Sequence, residues 1–326
     1  MSKSVTYTNG VIAVKETSLL KDKIYKLCEG SAEEAFRALS EGGFGHGAEA
    51  LSVYNYEALV AADERDLDAF IHEYATGKAE EEYLLSPRDF HNAKALVKAE
   101  YLGLDVKPML APEGIYSIEE ISACIKGEET RLNGELKKAL KEAKNLFVDS
   151  EGNALKADGA EVGRIFDIAE FEHLFKACSR NGFLKKLLIR RVDMTNILTA
   201  LRAKTPEYAE VFYIGGGKLG KEKLNSIFSE NADVAERAMD GTEYWEFYIK
   251  CLKQREAGLP LTEAEKLLAD LECDSLEKRK YELKNSQPFL YYVFRRRAEN
   301  ANVRILFVCL LAGMKEGEIR RRLRAV

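Results

Sequence analysis

Three stretches of the chain carry an acid and, three residues on, an asparagine. They are Asp89 with Asn92, Asp193 with Asn196, and Glu299 with Asn302. On a helix, residues three apart share a face. A carboxylate beside an amide suits three kinds of work: catalysis, cation binding, or hydrogen bonding to a neighbouring helix or its exposed end. Three copies favour the last, a structural role within the repeat. Lining a shared central surface is the other reading that the repetition allows.

A second stretch has the spacing of a phosphate loop. Gly215-Gly216-Gly217-Lys218-Leu219-Gly220-Lys221 fits G-x-x-x-x-G-K, and apolar Val211 to Ile214 precedes it as a short strand would. Glu222, however, holds the place of the hydroxyl that ligates Mg²⁺, and its carboxylate repels phosphate. No alternating strand–helix pattern surrounds the segment. A glycine turn that ends one helix and opens another is the expected reading.

Cationic clusters form the third group. Arg295, Arg296 and Arg297 lie near Arg304, Arg320 to Arg322 lie near Arg324, and Lys185-Lys186 and Arg190-Arg191 precede Asp193. A solvated helix face is one reading. An electropositive patch for an acidic partner or a membrane surface is the other. Nucleic acid is not expected: the net charge is −5, phosphate neutralisation drives that affinity, and no interleaved aromatics support it. The six cysteines form no C-x-x-C pair and several sit in apolar helical patterns, as buried reduced thiols do. The four histidines, at 46, 72, 91 and 173, are too scattered for a zinc site. No cofactor or metal is expected.

The elements that position these residues are helical. Proline is 6 of 326 residues, about 2% where about 5% is usual. Leu, Ala, Glu, Lys and Arg dominate, as helices favour. The longest apolar run, Ile305 to Ala312, is far short of the roughly 20 residues that span a membrane.

The chain is also a repeat. Its three acids are 104 and 106 residues apart, near a third of the length. Around each runs one helical stripe: Phe90, Ala93, Val97, Tyr101 and Leu104; then Met194, Ile197 and Leu201; then Asn300, Val303, Phe307, Leu311 and Met314. A marker follows the first two copies, Gly114-Ile115-Tyr116-Ser117 and Gly217-Lys218-Leu219-Gly220, each reading as a glycine turn before a helix. Ser86-Pro87-Arg88-Asp89 reads as a capped helix start, and Thr262 as another. Helices are expected at 136–147, 170–178 and 244–255, and loops at 42–47 and 149–163. The expected division is three lobes, at 1–110, 111–216 and 217–326.

These residues carry a family resemblance. Val192-Asp193-Met194-Thr195-Asn196-Ile197-Leu198-Thr199-Ala200-Leu201-Arg202-Ala203-Lys204 resembles the central signature of the C-type central-stalk component of bacterial and archaeal V/A-type ATPases, whose eukaryotic homologue is the d-type component. Asp89-Phe90-His91-Asn92-Ala93-Lys94 is similar to that family's first copy. Asn302-Val303-Arg304-Ile305, followed by Glu318 to Leu323, is similar to its carboxyl end. Tyr7-x-Asn9-Gly10 through Leu19-Leu20 fits its start. Two stretches depart from the pattern: Arg296-Arg297 stands where the family usually has Lys-Glu, and Gly42-Gly43-Phe44-Gly45 replaces a Thr-Pro-Tyr-like turn.

The resemblance implies an all-α protein of three similar lobes with pseudo-threefold symmetry, forming a funnel. It implies a non-catalytic central-stalk component that receives the shaft protein D, associated with F, and sits on the cytoplasmic mouth of the proteolipid ring. Torque would pass through it for ion transport or ATP synthesis. Arg296, Arg297 and Arg304 are the candidates for shaft or ring contact. A helical-repeat scaffold unrelated to rotary motors is the alternative that the repeats alone permit, and a nucleotide-using enzyme built on the glycine–lysine segment is a third.

Overall fold

The structure, a computed structural model, describes residues 4–49, 52–148, 155, 157–229, 232–258, 262–282 and 285–324. In chain order the helices are α1 (Val5–Lys15), α2 (Lys23–Leu27), α3 (Ala32–Glu41), α4 (Tyr56–Tyr74), α5 (Lys78–Leu102), α6 (Ile118–Ile125), α7 (Gly134–Phe147) and α8 (Gly159–Ala177). Then come α9 (Gly182–Arg202), α10 (Pro206–Phe212), α11 (Lys221–Asn225), α12 (Ala232–Met239), α13 (Trp245–Glu256), α14 (Thr262–Glu277), α15 (Gln287–Leu311) and α16 (Glu316–Arg322). No strand occurs among the described residues, so the fold is all-α as expected.

Packing settles two local readings. The four apolar residues Val211 to Ile214, too few to decide between strand and helix by pattern, are the end of α10 and the two residues after it. Thr205 caps that helix, accepting from the Tyr208 amide, and Pro206 starts it. The helix start read at Ser86-Pro87 lies inside α5, which begins at Lys78. Tyr83, Leu84 and Leu85 are buried there. Their burial outweighs the lost proline N–H, and the Ser86 hydroxyl turns back to donate to the Glu82 carbonyl at 2.6 Å. α8 begins at Gly159, inside the expected loop; residues 149–154 and 156 lie outside the described ones.

The chain divides into two compact units, residues 1–77 with 269–326, and residues 78–268. In the second, α7 shows how sequence dictates packing. Asn133 caps it through the Leu136 amide at 2.8 Å. Leu136, Ala139, Leu140, Ala143 and Phe147 then recur at helical spacing and are all buried. They close on Phe90, Ala93 and Val97 of α5, Ile121 of α6, and Val162, Phe166 and Ala169 of α8.

A charged clasp ties the same helices. His173 of α8 has Nε2 2.9 Å from Glu82 Oε2 of α5 and Nδ1 3.5 Å from Glu135 Oε2 of α7. A ring facing a carboxylate on each side must donate from both nitrogens, which only the imidazolium can do. Burial pulls its pKa down, but the two carboxylates together lift it above the ordinary value. Glu82 is held below the usual carboxylate range: burial raises it, but His173 and Lys78 outweigh that. Glu135 is lowered chiefly by Lys176. A raised histidine contributes stability that is complete below about 6.5 and lost as pH rises through its folded pKa. Asp89, pushed up to about 7 by burial against the pull of two amides, contributes with the same sign. The melting temperature should therefore fall as pH rises from 6 to 9, and His173→Gln should flatten that fall. An unchanged slope in the variant would exclude the clasp as its source.

In the first unit the core is shared by the two ends of the chain. Ile24, Cys28, Ala35, Leu39, Val53 and Leu59 pack with Val303, Leu306, Phe307, Ile319 and Leu323. A capping box at Ser31 and Glu34 starts α3. All six cysteines are free, and all but Cys124 are buried. Burial pushes the Cys178 and Cys251 thiols up to about 12 and Cys273 up to about 11, which suits packing and not thiolate chemistry. Among the described residues no helix is long and apolar enough to cross a membrane.

Candidate functional site

Each acid–asparagine pair pins the backbone of a separate segment to its own long helix. On α5, Asp89 accepts from the Ile115 and Tyr116 amides at 3.0 and 3.1 Å. Asn92 makes a reciprocal pair with Ala111: Oδ1 accepts from its N–H at 2.8 Å and Nδ2 donates to its carbonyl at 3.2 Å. On α9, Asp193 accepts from Lys218 and Leu219 at 3.0 and 2.9 Å. Asn196 makes the same reciprocal pair with Ile214, both bonds at 2.8 Å. All four side chains are buried. Each is spent on backbone groups that would otherwise be orphaned.

The third pair follows the rule with one change. On α15, Asn302 accepts from the Arg324 amide at 2.7 Å and donates to its carbonyl at 3.2 Å. Glu299 finds an amide at the other end of the chain, where Lys21 donates at 3.1 Å. A helix then begins two or three residues after the first amide each acid holds: α6 at Ile118, α11 at Lys221 and α2 at Lys23.

The glycine markers exist for close approach. A Cβ on Gly114 would fall on Asp89 Oδ1 and within 2.7 Å of the Leu85 carbonyl, and one on Gly217 would fall on Asp193 Oδ1. The same contact disposes of the phosphate-loop reading, since the Lys218 and Leu219 amides that would cradle a phosphate are occupied by a carboxylate. Lys218 Nζ pairs with Glu243 and Lys221 with Glu210. Gly217→Ala should therefore cost about 2–4 kcal/mol through strain and broken amide bonds. Gly215→Ala, with nothing within 4 Å of its Cβ, should cost under about 1 kcal/mol. Denaturant titration of the two variants checks the contrast.

The second copy has a partner that its sequence did not reveal. Tyr244 donates its hydroxyl to Asp193 Oδ2 at 2.6 Å. Burial and that bond raise the phenol's pKa.

The arginine candidates meet carboxylates of α4. Arg296 pairs with Asp63 and lies 3.9 Å from Glu299. Arg304 grips Glu64 with two nitrogens, at 2.8 and 3.0 Å, and Glu57 at 3.0 Å. These bonds raise its pKa. Arg297 is half-buried. No group of His, Cys, Asp and Glu set to hold a metal occurs among the described residues.

A family model described as ATP synthase (C/AC39) subunit matches residues 8–322. No curated protein matches the chain.

Proposed function

Since the chain belongs to the ATP synthase (C/AC39) subunit family, the non-catalytic central-stalk component of V/A-type ATPases, we propose that it is the socket between the rotating shaft and the membrane ring. The match over residues 8–322 carries this reading. The three stapled helices support its finer form: three similar lobes about a pseudo-threefold axis, forming a funnel. The shaft protein D, with F, enters the funnel, and the proteolipid ring carries it on the cytoplasmic side of the membrane. Torque then passes through helices whose cores are close-packed and therefore stiff.

Arg296, Arg297 and Arg304 remain the proposed contributors to the shaft or ring contact. Arg304, 38% exposed, is the best placed to reach a partner. Arg296 acts from below by fixing α4 to α15. Reversing the charge of Arg304 alone should weaken one of the two complexes by about tenfold, the size of a charged contact at an interface rim. Reversal of all three with both affinities unchanged refutes their role. The reading as a whole is tested by co-purification. The full chain should retain the D–F shaft and, separately, the detergent-solubilised ring. A folded chain that binds neither overturns it.

A further inference from the structure

The three helices that meet at His173 are not held equally. The ring, 8% exposed, lies 2.9 Å from Glu82 Oε2 of α5 and 3.5 Å from Glu135 Oε2 of α7. Glu82 is 6% exposed, and its other oxygen lies 3.5 Å from Lys78 Nζ. Glu135 is 19% exposed and keeps a partner of its own, since Lys176 donates to its other oxygen at 2.8 Å. Beside the ring is a cavity of about 270 Å³, whose polar lining is Lys78, Glu82, Asn133, Glu135, His173 and Lys176. Lys78 and Lys176 are exposed, so water reaches this side of the clasp.

The other groups around the ring leave its two protons to these carboxylates. Phe90 of α5 lies ring to ring 5.8 Å away. Asp89 of α5 is spent on the Ile115 and Tyr116 amides, and Glu170 of α8 lies 3.8 Å from Arg191 of α9. Both acids act on the ring by charge alone. Tyr116, ahead of α6, has its phenol pushed up by burial and stays neutral.

An imidazolium satisfies both carboxylates, but a neutral ring has one N–H and one lone pair. The lone pair must then face a carboxylate, and the arm that lets go is the one that loses least. Glu82 is deeper and closer, and an unsatisfied buried charge costs most. Glu135 has Lys176 and the water of the cavity to turn to. The remaining proton therefore stays on Nε2. We infer that His173 is a pH-operated latch on α7: loss of one proton from its ring frees the start of α7 and the turn before it, while α5 and α8 stay joined. Leu136, fully buried in the core, is the hinge. The part that moves carries Asn133, the cap to which the Leu136 and Lys137 amides donate at 2.8 and 3.1 Å. Because the two carboxylates lift the ring's pKa, the latch is shut below about 6.5 and opens as pH rises through the raised value. Every group involved lies within residues 78–268, so the latch is independent of what the chain docks against.

The test follows the full chain from pH 6 to pH 9 by NMR and by amide hydrogen exchange, with rates corrected for intrinsic base catalysis. Both ring nitrogens of His173 should carry protons at pH 6, and only Nε2 at pH 9. Over the same range the protection of the Leu136 and Lys137 amides should fall about tenfold, the effect of losing one charge-assisted hydrogen bond. The α8 amides around His173 should keep theirs. Glu135→Gln supplies an amide that can donate to the ring's lone pair, and it should abolish the pH dependence at Leu136 and Lys137 in a folded chain. Asp89, pushed up to about 7, ionises over this range too, but its effect is read at the Ile115 and Tyr116 amides. A proton left on Nδ1 in place of Nε2 overturns the latch. So does protection at Leu136 and Lys137 that is independent of pH, or that falls equally in Glu135→Gln. Equal losses across α5, α7 and α8 overturn it in favour of general destabilisation.

Discussion

Asp193→Ala should remove about 3–5 kcal/mol from the stability of residues 78–268. Three donors converge on that carboxylate, the amides of Lys218 and Leu219 and the hydroxyl of Tyr244. Alanine offers none of them an acceptor, and each unsatisfied buried donor costs about 1–3 kcal/mol. Partial access of water to the two amides keeps the sum below three full penalties. Asp193→Asn keeps one oxygen and should cost roughly half as much. Tyr244→Phe removes only one donor and should cost about 1 kcal/mol. In Asp193→Ala, Tyr244→Phe should instead recover about 1 kcal/mol or more, because it removes the hydroxyl left without an acceptor. Hydrogen exchange provides the local readout. Protection of the Lys218 and Leu219 amides should collapse in Asp193→Ala, and persistence of that protection would contradict the staple.

The other large effect belongs to Arg296. Its partners Asp63 and Glu299 have side chains only 3% and 1% exposed. Burial raises the Glu299 pKa, against the Lys21 amide and Arg296, and lowers that of Arg296. Arg296→Ala strips the cation and leaves two carboxylates facing each other without water. Removing one side of a buried pair costs about 3–5 kcal/mol. The deficit should depend on pH in a stated direction. As pH falls through the now further raised Glu299 pKa, protonation removes its buried charge and the variant recovers toward the parent. Chemical denaturation at pH 7 and pH 5 measures both the loss and the recovery. A loss of equal size at both values would mean that the arginine matters as packing and not as charge.

What the sequence made legible was local. The acid and asparagine three residues apart announced a helical face, and the glycines at 114 and 217 announced the segments that they hold. All of this lies within about 27 residues along the chain, where periodicity and turn chemistry operate. The third acid's amide could not be found that way. Lys21 is 278 residues from Glu299, and its segment, Leu19-Leu20-Lys21-Asp22, lacks the glycine that marks the other two. A longer glutamate there reaches its amide without one. The acids that the arginines meet were hidden in the same manner. Read along the chain, Arg295 to Arg297 are a solvated run or a free patch, yet Arg296 and Arg304 meet acids over 230 residues away. Charge density is written in sequence, but pairing is written in the fold. Pro87 is the converse case, a strong local signal overruled because the residues before it are buried.

The joining of both chain ends in one core has a consequence in time. On the ribosome, Ile24, Leu39 and Leu59 emerge early, but their partners Val303, Phe307 and Ile319 emerge last. At about 5–20 residues per second, the first segment waits some tens of seconds with its apolar face uncovered, while residues 78–268 have all they need to fold. The beginning of the chain is thus among the last parts to reach its native state, and the nascent protein is most in need of a chaperone at its oldest end.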